Sequence, residues 1–313
     1  MGRKCNKICV TGGAGFIGSH LVDRLLADRY DVLVIDDLSN GKLTNLPKEG
    51  SFRFAKCDIR DSKTVRRLLK GVDAIFHEAA LTSVEASLKT PQLVNEVNVG
   101  GTLNLLKAAI DCGVKRFIYA SSVAVCGDVP PPQSENGPTR PISPYGVSKL
   151  AAENYVRVFC EIYGLETIGL RYFNVYGPRQ SGDSIYSGVI VRFINRLINN
   201  KKLTIYGDGE QTRDFVHVSD VVEANMIALE KRDAVGKVLN VGTGRSTSVN
   251  EVAEILLKSF GKSSKSAVHV EPRDGDIRFS CADARMSKDV LGFTSRLRLE
   301  DELPRLVDLY RNS

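Results

Sequence analysis

No stretch of this chain comes near the roughly 18 consecutive apolar residues of a membrane-spanning helix, so no membrane contact is expected. A dense Lys/Arg tract is missing as well. The net charge of +6 is spread along the chain, which argues against nucleic acid as a partner. A mild positive bias suits an anionic small substrate. The seven cysteines are odd in number and lack paired spacing, and they read as reduced thiols of a cytoplasmic protein. Cys5 and Cys9 have neither a histidine nor a second cysteine pair beside them. No metal site is expected there, and Cys9 reads as part of a strand core. Repeats and low-complexity segments are likewise missing. The start, Met1 to Cys5, runs into a strand-like segment and not into a signal-peptide core, which adds to the cytoplasmic expectation. What is present is a globular composition, 42% hydrophobic and 26% charged. Its 313 residues suffice for one large α/β domain and a smaller appendage.

Lys7 to Val10 reads as a short apolar strand. Thr11 to Gly18 follows, then a helix with Ile17, Leu21, Val22, Leu25 and Leu26 on one face. Glycines at 12, 15 and 18 permit a tight turn, close approach of backbone to a pyrophosphate, and close helix–strand packing. The pyrophosphate is expected at the helix N-terminus, beside Phe16 and Ile17. Asp31 to Asp37 reads as a second strand ending in acid. Asp36 is placed to bind the ribose hydroxyls of NAD and to repel the 2′-phosphate of NADP. Asn40 follows on the cofactor side. The unit predicts a Rossmann-type doubly wound parallel sheet.

Tyr145 and Lys149 stand four apart, hence one turn apart on one helix face. An ammonium so placed holds a phenol closer to its anionic form. A free phenol titrates near 10, so a base working near neutrality needs roughly three units of depression, about 4 kcal/mol. Taken alone, the pair is also what an ordinary helix surface carries.

The three-and-three spacing of the glycines resembles the extended branch of the short-chain dehydrogenase/reductase superfamily, and the likeness runs along nearly the whole chain. Phe54 to Asp61 resembles the family's third strand, whose acid–isoleucine pair, here Asp58 and Ile59, meets the adenine. Ala74 to Leu81 resembles the fourth strand, with Ala79, Ala80 and Leu81 along the cofactor. His77 reads as a packed strand-end residue. Pro91 to Asp111 reads as helical, and its Asn98 matches a family asparagine near the active-site strand. Phe117 to Gly127 resembles the fifth strand and its exit. There the resemblance gives Ser121 to the cofactor and Ser122 to the reacting hydroxyl, while Cys126 stands where the family often has tyrosine. It also implies that Tyr145 and Lys149 meet both chemistry and cofactor, and that Tyr172 lies along the cofactor.

Arg171 to Gln180 is similar to the nucleotide-sugar branch, in which the asparagine, here Asn174, reaches the phosphates. Gly188 and Val189, opening the next helix, are expected at the substrate. The resemblance implies Tyr206 against uracil, Arg213 and Arg273 on the diphosphate and Asp276 on the uridine ribose. Ser280 stands where galactose-restricted relatives carry a tyrosine, which implies room for an N-acetylated sugar. His217 is expected to buttress the fold. Residues 1–174, joined by roughly 212–244, are expected to bind NAD, and an interleaved domain of 175–313 to bind the nucleotide sugar. A homodimer is implied, with Leu103, Leu106, Tyr155, Val156, Phe159 and Tyr163 as its apolar surface.

The likeness is nearest to the UDP-galactose and UDP-N-acetylglucosamine 4-epimerases. It implies transient oxidation at C4 by NAD, rotation of the 4-keto sugar, and hydride return. UDP-glucuronate 4-epimerisation, or another nucleotide-sugar reaction of the superfamily, is the alternative. A 4,6-dehydratase needs an Asp-Glu pair after the serine, where this chain has Val123-Ala124. A non-catalytic NAD sensor typically loses the tyrosine or lysine, and both are kept here.

Overall fold

Strand and helix alternate from the first described residues, as the periodicity predicts. The computed structural model describes residues 6–48, 50–181, 188–272 and 277–311. β1 (Lys7–Thr11), α1 (Phe16–Ala27), β2 (Asp31–Asp36) and β3 (Phe52–Lys56) open the chain. α2 (Ser62–Leu68), β4 (Ala74–His77), α3 (Val84–Lys89) and α4 (Pro91–Asn95) follow. A π-helical turn (Glu96–Gly101) then leads into α5 (Thr102–Cys112). β5 (Arg116–Ser122), α6 (Pro144–Tyr163) and β6 (Glu166–Tyr172) complete the alternation.

The second part contains β7 (Asn174–Tyr176), α7 (Val189–Ile198), β8 (Leu203–Tyr206), β9 (Thr212–Arg213) and β10 (Phe215–His217). After them come α8 (Val218–Glu230), β11 (Val238–Val241), β12 (Thr247–Ser248) and α9 (Val249–Ser259). β13 (Ala267–Val270), α10 (Arg285–Leu291) and α11 (Leu299–Arg311) end it.

Seven strands form one parallel sheet in the order β11-β6-β5-β4-β1-β2-β3. Its inner strands are largely apolar runs because both faces are covered, while the edge strand β3 carries Arg53 and Lys56. Successive residues of β1 serve opposite faces: Val10 packs with Leu21, Leu25 and Val221, and Cys9 with Leu33, Leu105 and Phe117. Cys9 is therefore core, as expected, and burial pushes its thiol far above the ordinary range. β11 returns late in the chain to pair with β6, and α8 packs beside α1. The order reverses between β1 and β4, the switch point at which such sheets bind ligands beyond their carboxyl ends. A third core, with Phe193, Ile205, Leu256 and Leu303, belongs to the smaller lobe of α7, α9, α11 and β8.

The expected dimer surface is corrected at several residues. Leu106, Val156 and Phe159 are buried against the sheet, and Leu103 packs on the same cluster. Tyr155 and Tyr163 alone of that set stay exposed, at 40% and 57%. α5 and α6 each turn an apolar stripe inward to the core cluster that covers this face of the sheet. No helix among the described residues is long and apolar enough to cross a membrane.

Candidate active site

A cleft of about 2440 Å³ runs along the carboxyl ends of the sheet and into the smaller lobe. Single-ligand pockets span about 300–1,000 Å³, so this one has room for two large ligands end to end. Its first wall is the β1–α1 turn. Gly12 has φ +67°, and a Cβ there would lie 2.7 Å from the Ala79 nitrogen. A Cβ on Gly18 would come to 2.2 Å from the Gly12 carbonyl. Glycine at both positions thus seats the helix on the turn and the turn on the exit of β4. Gly12, Gly15, Phe16, Ile17 and Gly18 all line the cleft.

Asp36, at the end of β2, accepts from the backbone nitrogens of Ala14 (3.0 Å) and Leu38 (2.8 Å). Burial raises its pKa and these bonds oppose the rise. Asp36 and Asn40 line the cleft beside Asp58 and Ile59. Arg60 pins the Asp58 carboxylate at 2.6 Å and holds it below the usual range. Ala79, Ala80 and Leu81 continue the wall. A glycine cradle at a helix start, with an acid on the next strand, fits a dinucleotide.

Asn98 lies behind this wall. Its side chain accepts from Leu81 N (2.8 Å) and donates to Leu81 O and Ser148 Oγ, each at 3.0 Å. The π-helical turn that carries it is closed by Thr102 Oγ1 donating to Asn98 O at 2.6 Å. His77 is sandwiched between Thr11 Oγ1 and Thr102 Oγ1, each at 2.8 Å, and burial lowers its pKa to about 3. It is the packed strand-end residue expected.

The chemical corner joins β5 to α6. Ser143 caps α6 by accepting from Gly146 N at 3.1 Å, and Pro144 opens the first turn. A Cβ on Gly146 would lie 2.6 Å from the Ala124 carbonyl, so glycine there seats the helix start on the exit of β5. This brings Tyr145, 8% exposed, into hydrogen-bonding reach of Ser122, and both line the cleft. Lys149 is 4% exposed and lies just behind, donating to Ala120 O at 2.8 Å, with its ammonium 5.0 Å from the Tyr119 ring centre.

Burial lowers Lys149 to about 8, and Glu78 opposes that shift. Burial raises the Tyr145 phenol, and the Ser122 hydroxyl works against the rise. The side chains alone therefore do not give the depressed phenol expected from the tyrosine–lysine pair.

Ser121 and Tyr172 also lie behind the wall. Ser121 Oγ donates to Glu153 Oε2 at 2.7 Å. The Tyr172 hydroxyl donates to Glu78 Oε1 and accepts from Asn225 Nδ2, both at 2.8 Å.

The smaller lobe supplies the far end. Asn174, Gly188, Val189, Tyr206, Arg213 and Ser280 line it. Ser280 is 3% exposed, and its hydroxyl has no partner among the described residues. Arg273 and Asp276 lie outside the described residues. His217 accepts from Ser219 N at 3.2 Å and caps α8, away from chemistry.

Among the lining residues given no role by the sequence reading are Glu78, Gln211 and Arg192. Arg192 places its guanidinium 5.9 Å from the Tyr206 ring centre. Glu78 lay in full view beside His77, but its partners are far away in sequence.

The profile of the "NAD dependent epimerase/dehydratase family" matches residues 8–242. A UDP-glucose 4-epimerase of Mycolicibacterium smegmatis is 38% identical, over 97% of this chain and 98% of its own. The structure is similar to that of a UDP-glucose 4-epimerase of Thermotoga maritima with UDP-glucose. The TM-score is 0.94 at 40% identity, over 98% and 99% of the two chains. A UDP-N-acetylglucosamine 4-epimerase of Methanobrevibacter ruminantium, in complex with UDP-N-acetylmuramic acid, gives 0.93 at 38% identity, over 99% of each chain. With a glycine cradle, a terminal acid on β2, Ser122 and Tyr145 lining one cleft and Lys149 just behind them, the chain belongs to the NAD dependent epimerase/dehydratase family.

Proposed function

We propose that the protein interconverts UDP-hexoses epimeric at C4. The carrying observation is the position of Ser122 and Tyr145, between the glycine wall and the lobe holding Tyr206 and Arg213. Bound NAD supplies the hydride acceptor. Tyr145 takes the proton of the sugar 4-hydroxyl, which Ser122 orients. Lys149 carries the positive charge beside the phenol. Arg213, with Arg273, binds the diphosphate, each charge-assisted bond being worth about 1.5–3 kcal/mol. Asn174, Gly188 and Val189 border the phosphates and sugar, Asp276 holds the uridine ribose, and Tyr206 with Arg192 flanks the uracil. Firm anchoring of UDP leaves the 4-keto sugar free to turn, so that hydride returns to its other face.

On this reading residues 1–174 with 212–244 bind NAD, and the interleaved 175–313 part binds the nucleotide sugar. Val123 and Ala124, apolar and directly after Ser122, supply no acid–base pair for dehydration at C5 and C6. The small, unpartnered Ser280 supports acceptance of N-acetylated UDP-hexoses. UDP-glucuronate remains the rival substrate. Incubating the protein with UDP-glucose, UDP-N-acetylglucosamine and UDP-glucuronate and following the anomeric proton signals by NMR tests the reading. New galacto-configured signals from the first two support it, and conversion of UDP-glucuronate alone contradicts it.

We also infer a homodimer through α6 and the adjoining α3 and α4. Val147, Tyr155, Ile162 and Tyr163 expose apolar surface on α6, and Leu88 and Leu93 do so beside it.

A further inference from the structure

The exit of β4 carries a group that the proposed reaction does not use. Sheet order sets this exit between the glycine turn after β1 and the Ser122 end of β5. Gly12 packs on Ala79, one residue beyond Glu78. A dinucleotide reaching from the glycine turn to Tyr145 crosses here, nicotinamide half last. Glu78 lines the cleft at this crossing. Its Oε1 accepts from the Tyr172 hydroxyl at 2.8 Å, and Asn225 on α8 fixes that hydroxyl in turn at 2.8 Å.

Two groups bear on the carboxyl directly, Lys149 from α6 and Tyr172 from β6. Behind them Tyr119 on β5 lies under the Lys149 ammonium, and His77 on β4 packs against Tyr119. His77 is neutral through the working range, so Lys149 is the one protein cation among these groups.

We propose that Glu78 is a positioning residue for the redox state of the cofactor: clamped by Tyr172, its carboxylate offsets positive charge beside the nicotinamide and favours bound NAD over bound NADH. Hydride addition removes the ring's positive charge, so a fixed negative neighbour stabilises the oxidised form selectively. A 4-epimerase regenerates its NAD in every cycle, and an enzyme left holding NADH is idle. The proposal rests on the cofactor assignment and on that cycle. Burial pushes Glu78 up to about 7 and Lys149 down to about 8. The effect is therefore present in alkali and fades as Glu78 takes up its proton.

The test contains no sugar, so its outcome is independent of which UDP-hexose is the substrate. Holoprotein is equilibrated with mixtures of NAD and NADH, and the bound ratio is read from the fluorescence of bound NADH. Glu78→Gln keeps an oxygen that accepts from Tyr172 but loses the charge. At about pH 9 this variant is expected to raise the bound NADH:NAD ratio about tenfold over wild type, one charge acting across a partly buried gap. Glu78→Asp should restore most of the preference, and the difference should shrink as pH falls. Equal ratios in alkali overturn the proposal, and so does a difference of constant size at every pH. If Glu78→Gln fails to fold, Glu78→Ala takes its place. It carries the same expectation against wild type at about pH 9, and equal ratios there overturn the proposal.

Discussion

At the residue scale the account turns on two side chains. Tyr145 is expected to carry the proton through its phenolic oxygen, while its ring only packs. Tyr145→Phe should lower turnover by about 10² to 10⁴ and leave NAD and UDP binding intact. Retention of most activity in a UDP-hexose assay contradicts the assignment. Ser280 is expected to leave space beside C2 of the sugar. Forcing bulk into a filled site costs roughly 1–3 kcal/mol, so Ser280→Tyr should cut N-acetylhexosamine turnover about tenfold to a hundredfold and spare UDP-glucose. Equal losses on both substrates go against it.

Residues legible in the sequence were those whose meaning lies within one element. Gly12 and Gly18 share one turn, and Tyr145 and Lys149 share one helix face. Glu78 was not legible in that way. Its partners Tyr172 and Lys149 come from β6 and α6, and Asn225, which fixes the Tyr172 hydroxyl, comes from α8; only the fold brings them together.

At the element scale, the register of β5 with β6 opposes Ser121 to Arg171 and Ser122 to Tyr172. Behind that pair, Glu153 on α6 binds Arg171 at 2.6 Å and accepts from Ser121, with both charged side chains nearly sealed from water. The network ties the Tyr145 helix to the two strands that frame the chemistry. Glu153→Ala leaves the Arg171 charge buried and unpaired, and should cost about 3–5 kcal/mol in a urea unfolding curve. A loss below about 1 kcal/mol would mean that water or rearrangement replaces the pair.

The π-helical turn at Asn98 was invisible to periodicity, which registers a helix there but not its extra residue per turn. That turn lets Asn98 grip Leu81 while His77 stays locked to Thr102. The inward stripes of α5 and α6 were misassigned for a related reason. Both helices carry apolar residues on two faces, and only packing decides which one meets the sheet.

At the scale of the whole molecule, the sheet end carries the proposed cofactor wall and a separate core carries the proposed nucleotide-sugar wall. The exposed apolar stripe from Val147 to Tyr163 predicts a mass of two chains by light scattering at micromolar concentration. A single-chain mass contradicts the dimer. The central claim is the path of the hydride, and an isotope reads it directly. UDP-glucose and UDP-N-acetylglucosamine are each supplied with deuterium at C4, mixed with undeuterated substrate carrying a carbon-13 ring, and followed by mass spectrometry and NMR. The account predicts that deuterium stays at C4 in both epimers and never crosses to the carbon-13 molecules. Deuterium at C6 with loss of water would make the enzyme a dehydratase, and wash-out of the label to solvent would contradict oxidation and return within one site.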